Sequence, residues 1–293
     1  MKQVAIGIFL MTAMVLTGCG AEDQGEKTVS VISREDGSGT RGAFVSLFEI
    51  DEINEEGELE DETTVDAVIT NSTAVMMQMV AGDPNAIGYL SLGSLQDTVK
   101  AVLVNGVYPS TENLKNGTYP VSRPFLLVKD PKGVSEAAED FLAFLRSAEG
   151  QRVFTENGYG TVSEKMEPYK ERAQSGKVVL AGSSSVAPVM EKVKEAYLKR
   201  HPHVVIEIQQ SDSTTGIQSA LDGSCDFGMT SRELKVSEEE KGAREIHVGT
   251  DGIAIIVNRD NPVEELTKEE IKQLFTGRWS DWNKILESKR ENE

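Results

Sequence analysis

The sequence predicts an α/β fold. Short β-branched runs alternate with helix-period patterns from Val29 onward. Several of those runs lead directly into Gly/Ser/Thr loops that open a helix. One run, 252–257, is almost continuously apolar, as expected of a strand buried on both faces.

Taken in order, 29–33 reads as a strand, 34–40 as a polar loop, and about 42–49 as a helix. Residues 49–62 hold nine acidic side chains and no basic one, which predicts a solvated loop or a frayed helix end. A strand follows at 65–70. Asn71, Ser72 and Thr73 supply cap chemistry for a helix over 74–81, and Gly82-Asp83-Pro84-Asn85 forms a turn. Strands are expected at 87–92, 99–104 and 125–128. The 3.6-residue period over 135–152 predicts one amphipathic helix, with Ala138, Phe141, Leu142 and Leu145 on one face. Residues 164–176 are a polar connector. A strand at 178–181 precedes a helix over 187–200, with Pro188 in its first turn and Met190, Val193 and Tyr197 on its buried stripe. The remaining elements are a strand at 204–209, a short helix at 216–221, the strand at 252–257, and a helix ending near Phe275 that Thr267 and Glu270 start with a capping box.

The chain has 293 residues, of which 39% are hydrophobic, enough to build one large core or two lobes. Lys+Arg 30 against Asp+Glu 48 leaves a net charge of -18, which excludes a nucleic-acid partner, since binding phosphate backbones needs basic patches. The apolar run 4–16 is too short to span a bilayer but suits a secretory signal. It ends in Leu16-Thr17-Gly18-Cys19, which looks like a bacterial lipobox. The expectation is a signal peptide at 1–18, a lipidated Cys19 that anchors the protein to the membrane, and a polar tether over 19–27. The only other cysteine, Cys225, is read as a packed small side chain. His201, His203 and His247 are read as surface residues, and Trp279 and Trp282 as packing groups. Walker and Gly-x-Ser-x-Gly motifs are missing, and no His/Asp/Glu spacing suits a metal. No catalytic chemistry, cofactor or metal is therefore expected.

The informative feature is one local design used three times. Arg34-Glu35-Asp36-Gly37-Ser38-Gly39-Thr40-Arg41, Gly182-Ser183-Ser184-Ser185-Val186-Ala187-Pro188 and Ser211-Asp212-Ser213-Thr214-Thr215-Gly216 each join a strand to a helix. A helix N-terminus exposes unpaired N–H groups and a partial positive charge; glycine admits an oxyanion, and Ser and Thr add hydroxyl donors. Together the loops predict a converging site for a tetrahedral oxyanion. Arg34 and Arg41 can add charge-assisted bonds, each contributing about 1.5–3 kcal/mol. Asp36, two residues from Arg34, either orients that guanidinium or accepts a proton from the anion. An acceptor favours phosphate, which carries a proton near neutral pH, over sulfate.

At these loops the chain resembles the phosphate-binding protein of bacterial phosphate ABC transporters. The resemblance runs through 31–44, 86–89, 181–188, 209–217, 226–233, 251–258 and 274–277. The motif order is swapped, so the chain looks like a circular permutant, with new ends near 28 and 287 and the old ends joined between 158 and 177. The resemblance implies a two-lobe, type II periplasmic-binding-protein-like fold with ligand in the interlobe cleft. Residues 28–119 plus 259–293 would form lobe II, 120–258 would form lobe I, and 124–128 and 252–257 would be hinge strands. It places Ser184, Ser185 and Ser213 on one side of the anion, and Thr214 beside them is a further candidate. It places Arg34, Ser38, Gly39 and Thr40 on the other, with Asp36 pairing Arg34. Ser231 stands where some members have a proton-accepting Asp, and Arg232 after it is a further candidate to reach the anion. The acceptor stays open among Asp36, Asp212, Asp251 and Glu233.

The implied function is a monomeric lipoprotein on the outer face of the cytoplasmic membrane that delivers inorganic phosphate to a permease and its ATPase. The competing readings are a receptor for sulfate or a phosphonate, a sensory lipoprotein, and a phosphatase or Ser hydrolase. An isolated 28–119 fragment is expected not to fold; a cooperative thermal melt of that fragment by circular dichroism would contradict the layout.

Overall fold

Two strands that pass from one hydrophobic core into another organise the computed structural model, which describes residues 28–54, 59–129, 132–163, 165–172 and 175–290. The expected signal peptide, Cys19 and tether lie outside the described residues. The chain begins with β1 (Ser30–Arg34), α1 (Gly39–Leu47), β2 (Asp51–Ile53), β3 (Leu59–Asp61), β4 (Val68–Thr70), α2 (Thr73–Gly82) and β5 (Ala86–Ser91). It continues through β6 (Lys100–Ala101), β7 (Leu103–Val104), α3 (Thr111–Lys115), β8 (Ser122–Lys129), α4 (Glu136–Arg146) and α5 (Ala148–Glu156). Then come β9 (Gly176–Ser183), α6 (Ala187–Leu198), β10 (Val204–Ser211), α7 (Ser213–Asp222), β11 (Phe227–Thr230) and α8 (Val236–Glu240). Last are β12 (Glu245–Val257), β13 (Glu265–Leu266), α9 (Lys268–Phe275) and α10 (Trp282–Arg290).

The main sheet runs β10-β9-β11-β8-β12-β5-β1-β4. β9 pairs parallel with β10 and β11, and β1 pairs parallel with β4 and β5. The antiparallel strands β8 and β12 join these two parallel groups. The first part of β12 pairs with β8, and Ile253–Val257 pairs with β5. One core gathers Phe125, Phe141, Met190, Tyr197, Phe227 and Val248. The other gathers Phe44, Tyr89, Val121, Ile253, Phe275 and Trp282. The chain therefore changes core between Val121 and Phe125 and again between Val248 and Ile253; Ile253, Ile255 and Val257 join the second core, and Ala254 and Ile256, on the opposite face, join a third with Ile32, Met76 and Leu90.

At this double crossing Arg123 and Asp251 stand opposite each other in the β8–β12 register. Arg123 Nη2 and Nε both donate to Asp251 Oδ2, at 2.9 and 3.2 Å. Both side chains are buried. Burial pushes the Asp251 carboxyl up and the Arg123 guanidinium down, while their mutual attraction works against both shifts.

Several expected elements take other forms. The helix read over 135–152 is two helices broken at Ser147. The Ser147 hydroxyl donates to Phe144 O at 2.6 Å and accepts from Gly150 N at 3.3 Å, ending α4 and capping α5. The apolar period survives the break because Phe141, Leu145 and Phe154 all enter the same core. Within the acidic segment β2 and β3 pair antiparallel, Asp51 with Asp61 and Ile53 with Leu59. The strand read at 99–104 divides: β6 pairs with β12, and β7 with β13.

His201 is not a surface residue: it is 3% exposed. Its ring stacks on Tyr197, and its Nε2 lies 2.8 Å from the Tyr169 hydroxyl, which donates to Asp140 at 2.5 Å. This cluster fastens the connector to α4 and α6. His203 and His247 are exposed. Trp282 is fully buried and its Nε1 donates to Asn85 O at 2.9 Å. The two ends of the described chain meet, with Val29 N donating to Ser280 O at 2.9 Å.

Replacing Asp251 with Ala leaves a buried guanidinium without a countercharge and is expected to cost about 3–5 kcal/mol. Urea denaturation checks this. The paired replacement R123M/D251L should recover most of the loss.

Candidate anion site

The site forms where parallel strands end. β1 ends at Arg34, β4 at Thr70, β9 at Ser183, β10 at Ser211 and β11 at Thr230, which is the end of a parallel sheet where crevices form. Three of the loops are held by a side-chain cap, while α6 after the 182–188 loop has none and starts with Pro188 in its first turn. Ser38 Oγ accepts from Arg41 N at 3.3 Å, Ser72 Oγ from Val75 N at 3.2 Å, and Asp212 Oδ1 from Thr215 N at 2.9 Å. Gly37 makes the turn before α1 with φ 87, a conformation that a side chain disfavours. Close helix–sheet contact delivers Ser213: a Cβ on Gly216 would come within 2.7 Å of Ala181 O and Gly182 Cα. Only a bare Cα lets α7 sit that near β9 and β11.

The loops meet across the cleft. Arg34 Nη2 donates to Ser184 Oγ at 3.0 Å, and Thr40 Oγ1 lies 2.7 Å from Ser185 Oγ. Thr73 Oγ1 is 3.3 Å from the same Ser185 hydroxyl. Ser183 Oγ donates to Ser231 Oγ at 3.0 Å, and Ser231 N donates to Ser213 Oγ at 3.1 Å. Thr214 N and Oγ1 both donate to Gly37 O, at 3.1 and 3.2 Å. Arg34, Ser38, Thr40, Ser184, Ser185, Ser213 and Ser231 are all buried. The N-termini of α1, α2, α6 and α7 thus converge on one dry cluster of hydroxyls and a guanidinium, where their partial positive charges add. Below it, Tyr89 supports the end of β1. Its hydroxyl bonds Ser33 Oγ at 2.8 Å and accepts from Arg34 N at 3.2 Å, and burial pushes its pKa up to about 12, so it stays a neutral phenol.

Several expected members lie elsewhere. Asp36 does not pair with Arg34. Its side chain is 96% exposed and accepts from Arg41 Nη1 at 2.8 Å. Arg41 also bonds Asp61 and Arg34 O, so it braces the loop from outside. Arg232 gives its guanidinium to both oxygens of Glu238 and to Thr214 Oγ1. Burial works to raise the Glu238 pKa, but the bonds from Arg232 and Lys235 N outweigh it and bring the pKa below its usual value. Among the remaining acceptor candidates, Asp212 caps α7, Asp251 holds Arg123, and Glu233 is exposed.

The carboxylate on Arg34 is Glu35, which accepts from Nε and Nη2 at 2.7 Å each. The pairing with Asp36 that the resemblance implied is not formed: β1 stops at Arg34, and the residue that follows it directly brings its carboxylate onto the guanidinium. Thr73, Ser183 and Arg123 were also missed. Thr73 carried a signal, since Asn71-Ser72-Thr73 is a fourth polar loop between a strand and a helix. Arg123 carried none, because only the sheet register brings it to the cleft floor, where Arg34 is near enough to lower its pKa further.

Two cores bridged by crossing strands, with loops from both closing on buried donors, define a two-lobed solute-binding protein. A family model described as a PBP superfamily domain matches residues 21–149 and 167–292. The chain belongs to the phosphate-binding protein family within that superfamily. It is 46% identical over 278 residues to phosphate-binding protein PstS 2 of Streptococcus agalactiae, covering 94% of each chain. It is 38% identical over 290 residues to phosphate-binding protein PstS 2 of Streptococcus pneumoniae, covering 97% of this chain and 98% of that one. The crystal structure of a phosphate ABC transporter phosphate-binding protein from S. pneumoniae superposes with a TM-score of 0.69 at 39% identity, covering 88% of this chain and 99% of that one. These relatives share the motif order over nearly their whole length.

Gly39 is the closest approach between the loops: a Cβ there would overlap the Ser213 hydroxyl and lie 2.7 Å from Ser231 Oγ. G39A is expected to hold the cleft ajar and weaken anion binding at least tenfold. Its melting temperature should change little, and calorimetry with differential scanning separates the two effects.

Proposed function

We propose that this protein is a receptor that captures inorganic phosphate outside the cytoplasmic membrane and hands it to an ABC transporter's permease and ATPase. One observation carries the reading: a 2%-exposed Arg34 reaches Ser184 across a cleft ringed by helix N-termini and hydroxyls. Such a set matches a small tetrahedral oxyanion and offers no nucleophile–base pair, so the protein binds and does not catalyse. The names of the streptococcal relatives support phosphate as the anion. The mechanism is lobe closure, which removes water and strengthens each polar contact.

In this reading residues 28–119 with 259–293 form one lobe and 120–258 the other, except that Val121 and 253–257, on the crossing strands, pack their side chains with the first. The motif order is permuted relative to the commoner arrangement of the family. Cys19 carries the lipid that keeps a monomeric receptor at the outer membrane face. Among the described residues no helix is long and apolar enough to cross a membrane.

Calorimetric titration of the mature protein with phosphate tests the function. Arg34→Ala removes the buried cation and is expected to cost about 2–5 kcal/mol, a loss of roughly thirtyfold or more. Micromolar sulfate binding without phosphate binding would overturn the choice of anion.

A further inference from the structure

The cleft does not end at the anion cluster. A cavity of about 310 Å³ opens from it between the two lobes, and Thr73 and Ser184 line one end. Both already belong to the cluster: Ser184 Oγ accepts from Arg34 Nη2 at 3.0 Å, and Thr73 Oγ1 lies 3.3 Å from Ser185 Oγ. On another side the loops are shut against each other. A Cβ on Gly39 would overlap the Ser213 hydroxyl, and Thr214 Oγ1 donates to Gly37 O. A vertex of a bound tetrahedral ion that points past Thr73 and Ser184 therefore faces open space. Met77 and Leu95 on one lobe and Pro188 on the other make that space partly apolar. The exposed Gln96 and Gln210, one from each lobe, stand at its rim. No ionisable side chain among the described residues lines it.

We propose that this cavity is a subsite for the organic group of a phosphate monoester with a short, uncharged substituent, whose phosphoryl group takes the anion site. The inference rests on the phosphate function proposed above and widens it from one ion to a class of ligands. A monoester dianion carries the same charge as monohydrogen phosphate and keeps its unesterified oxygens, so Arg34, the hydroxyls and the helix N-termini hold it as they hold the ion. The remaining oxygen carries carbon instead of hydrogen and needs a way out, which the opening beside Thr73 and Ser184 provides. The volume lies at the low end for small-molecule pockets. At roughly 30 Å³ for each water-sized group, it accepts about ten non-hydrogen atoms. A three-carbon polyol is within that size: Met77, Leu95 and Pro188 offer its carbons apolar surface, and the glutamine amides offer its hydroxyls partners. A carboxylate on the substituent would lose hydration in the same space and find no cation there, so the subsite selects neutral groups.

The test is calorimetric titration of the mature protein, wild type, A74F and Q210W, with inorganic phosphate, glycerol 3-phosphate and 3-phosphoglycerate at about pH 8, where the phosphoryl group of each is a dianion. The ester stocks are first freed of inorganic phosphate. Ala74 and Gln210 are exposed and line the cavity from opposite lobes, so a large side chain at either position fills it without entering a core. The wild type is expected to bind glycerol 3-phosphate within about tenfold of phosphate, and 3-phosphoglycerate at least tenfold more weakly than glycerol 3-phosphate. In A74F and in Q210W glycerol 3-phosphate binding should fall at least tenfold while phosphate binding stays within about twofold of the wild type. A wild type that binds phosphate but glycerol 3-phosphate more than tenfold more weakly overturns the inference and leaves the phosphate receptor standing. Equal losses of phosphate and ester in both variants would make the cavity a path to the anion site instead of a subsite, and overturn it too. Equal binding of the two esters would overturn the selection of neutral groups. A wild type that binds none of the three overturns the proposed function as well.

Discussion

Everything in the cleft depends on keeping one buried guanidinium satisfied. Arg34 is a permanent positive charge with 2% exposure, and an isolated charge removed from water costs many kcal/mol. Glu35 balances it from the same loop, and Ser184 meets it from the opposite lobe. Tyr89, neutral and fully buried, receives its main-chain N–H. Arg41 donates to its carbonyl. The arrangement is asymmetric by design of chemistry: its own loop supplies the countercharge, while the other lobe supplies only neutral hydroxyls and helix ends. A small anion is the group that brings both halves the charge they share.

The fold serves this point through two close contacts. Glycines at 182, 216 and 228 bring α7 against β9 and β11 more closely than any side chain permits, which sets Ser213 at the cleft. On the floor, β8 and β12 change cores within a few residues, and Arg123 with Asp251 occupies the change. A buried ion pair is a poor source of stability but a strict constraint on register. A slip of one residue on either strand would strand both charges in apolar surroundings.

Much of this was legible in the residues, and the reasons differ from element to element. The three Ser/Gly/Thr loops were readable because anion chemistry is local: strand end, hydroxyls and helix start lie within eight residues of one another. The capping box at Thr267 and Glu270 was readable for the same reason, and both of its bonds form. His201 was not, because its burial is decided by Tyr169 and Asp140, both more than thirty residues away. The break at Ser147 was hidden by an apolar period that continues through it. Glu35 was not legible, because only the folded path of the loop decides which of two neighbouring carboxylates meets Arg34.

The contact between Thr214 and Gly37 has a consequence for emptying the pocket. It is made by a main-chain carbonyl on one jaw and two donors of one residue on the other, and none of these atoms has to touch the ion. The shut form therefore carries a clasp separate from its cargo. Discharge is then a mechanical problem before it is a chemical one: whatever prises those two loops apart uncovers the ion without competing for a single one of its bonds.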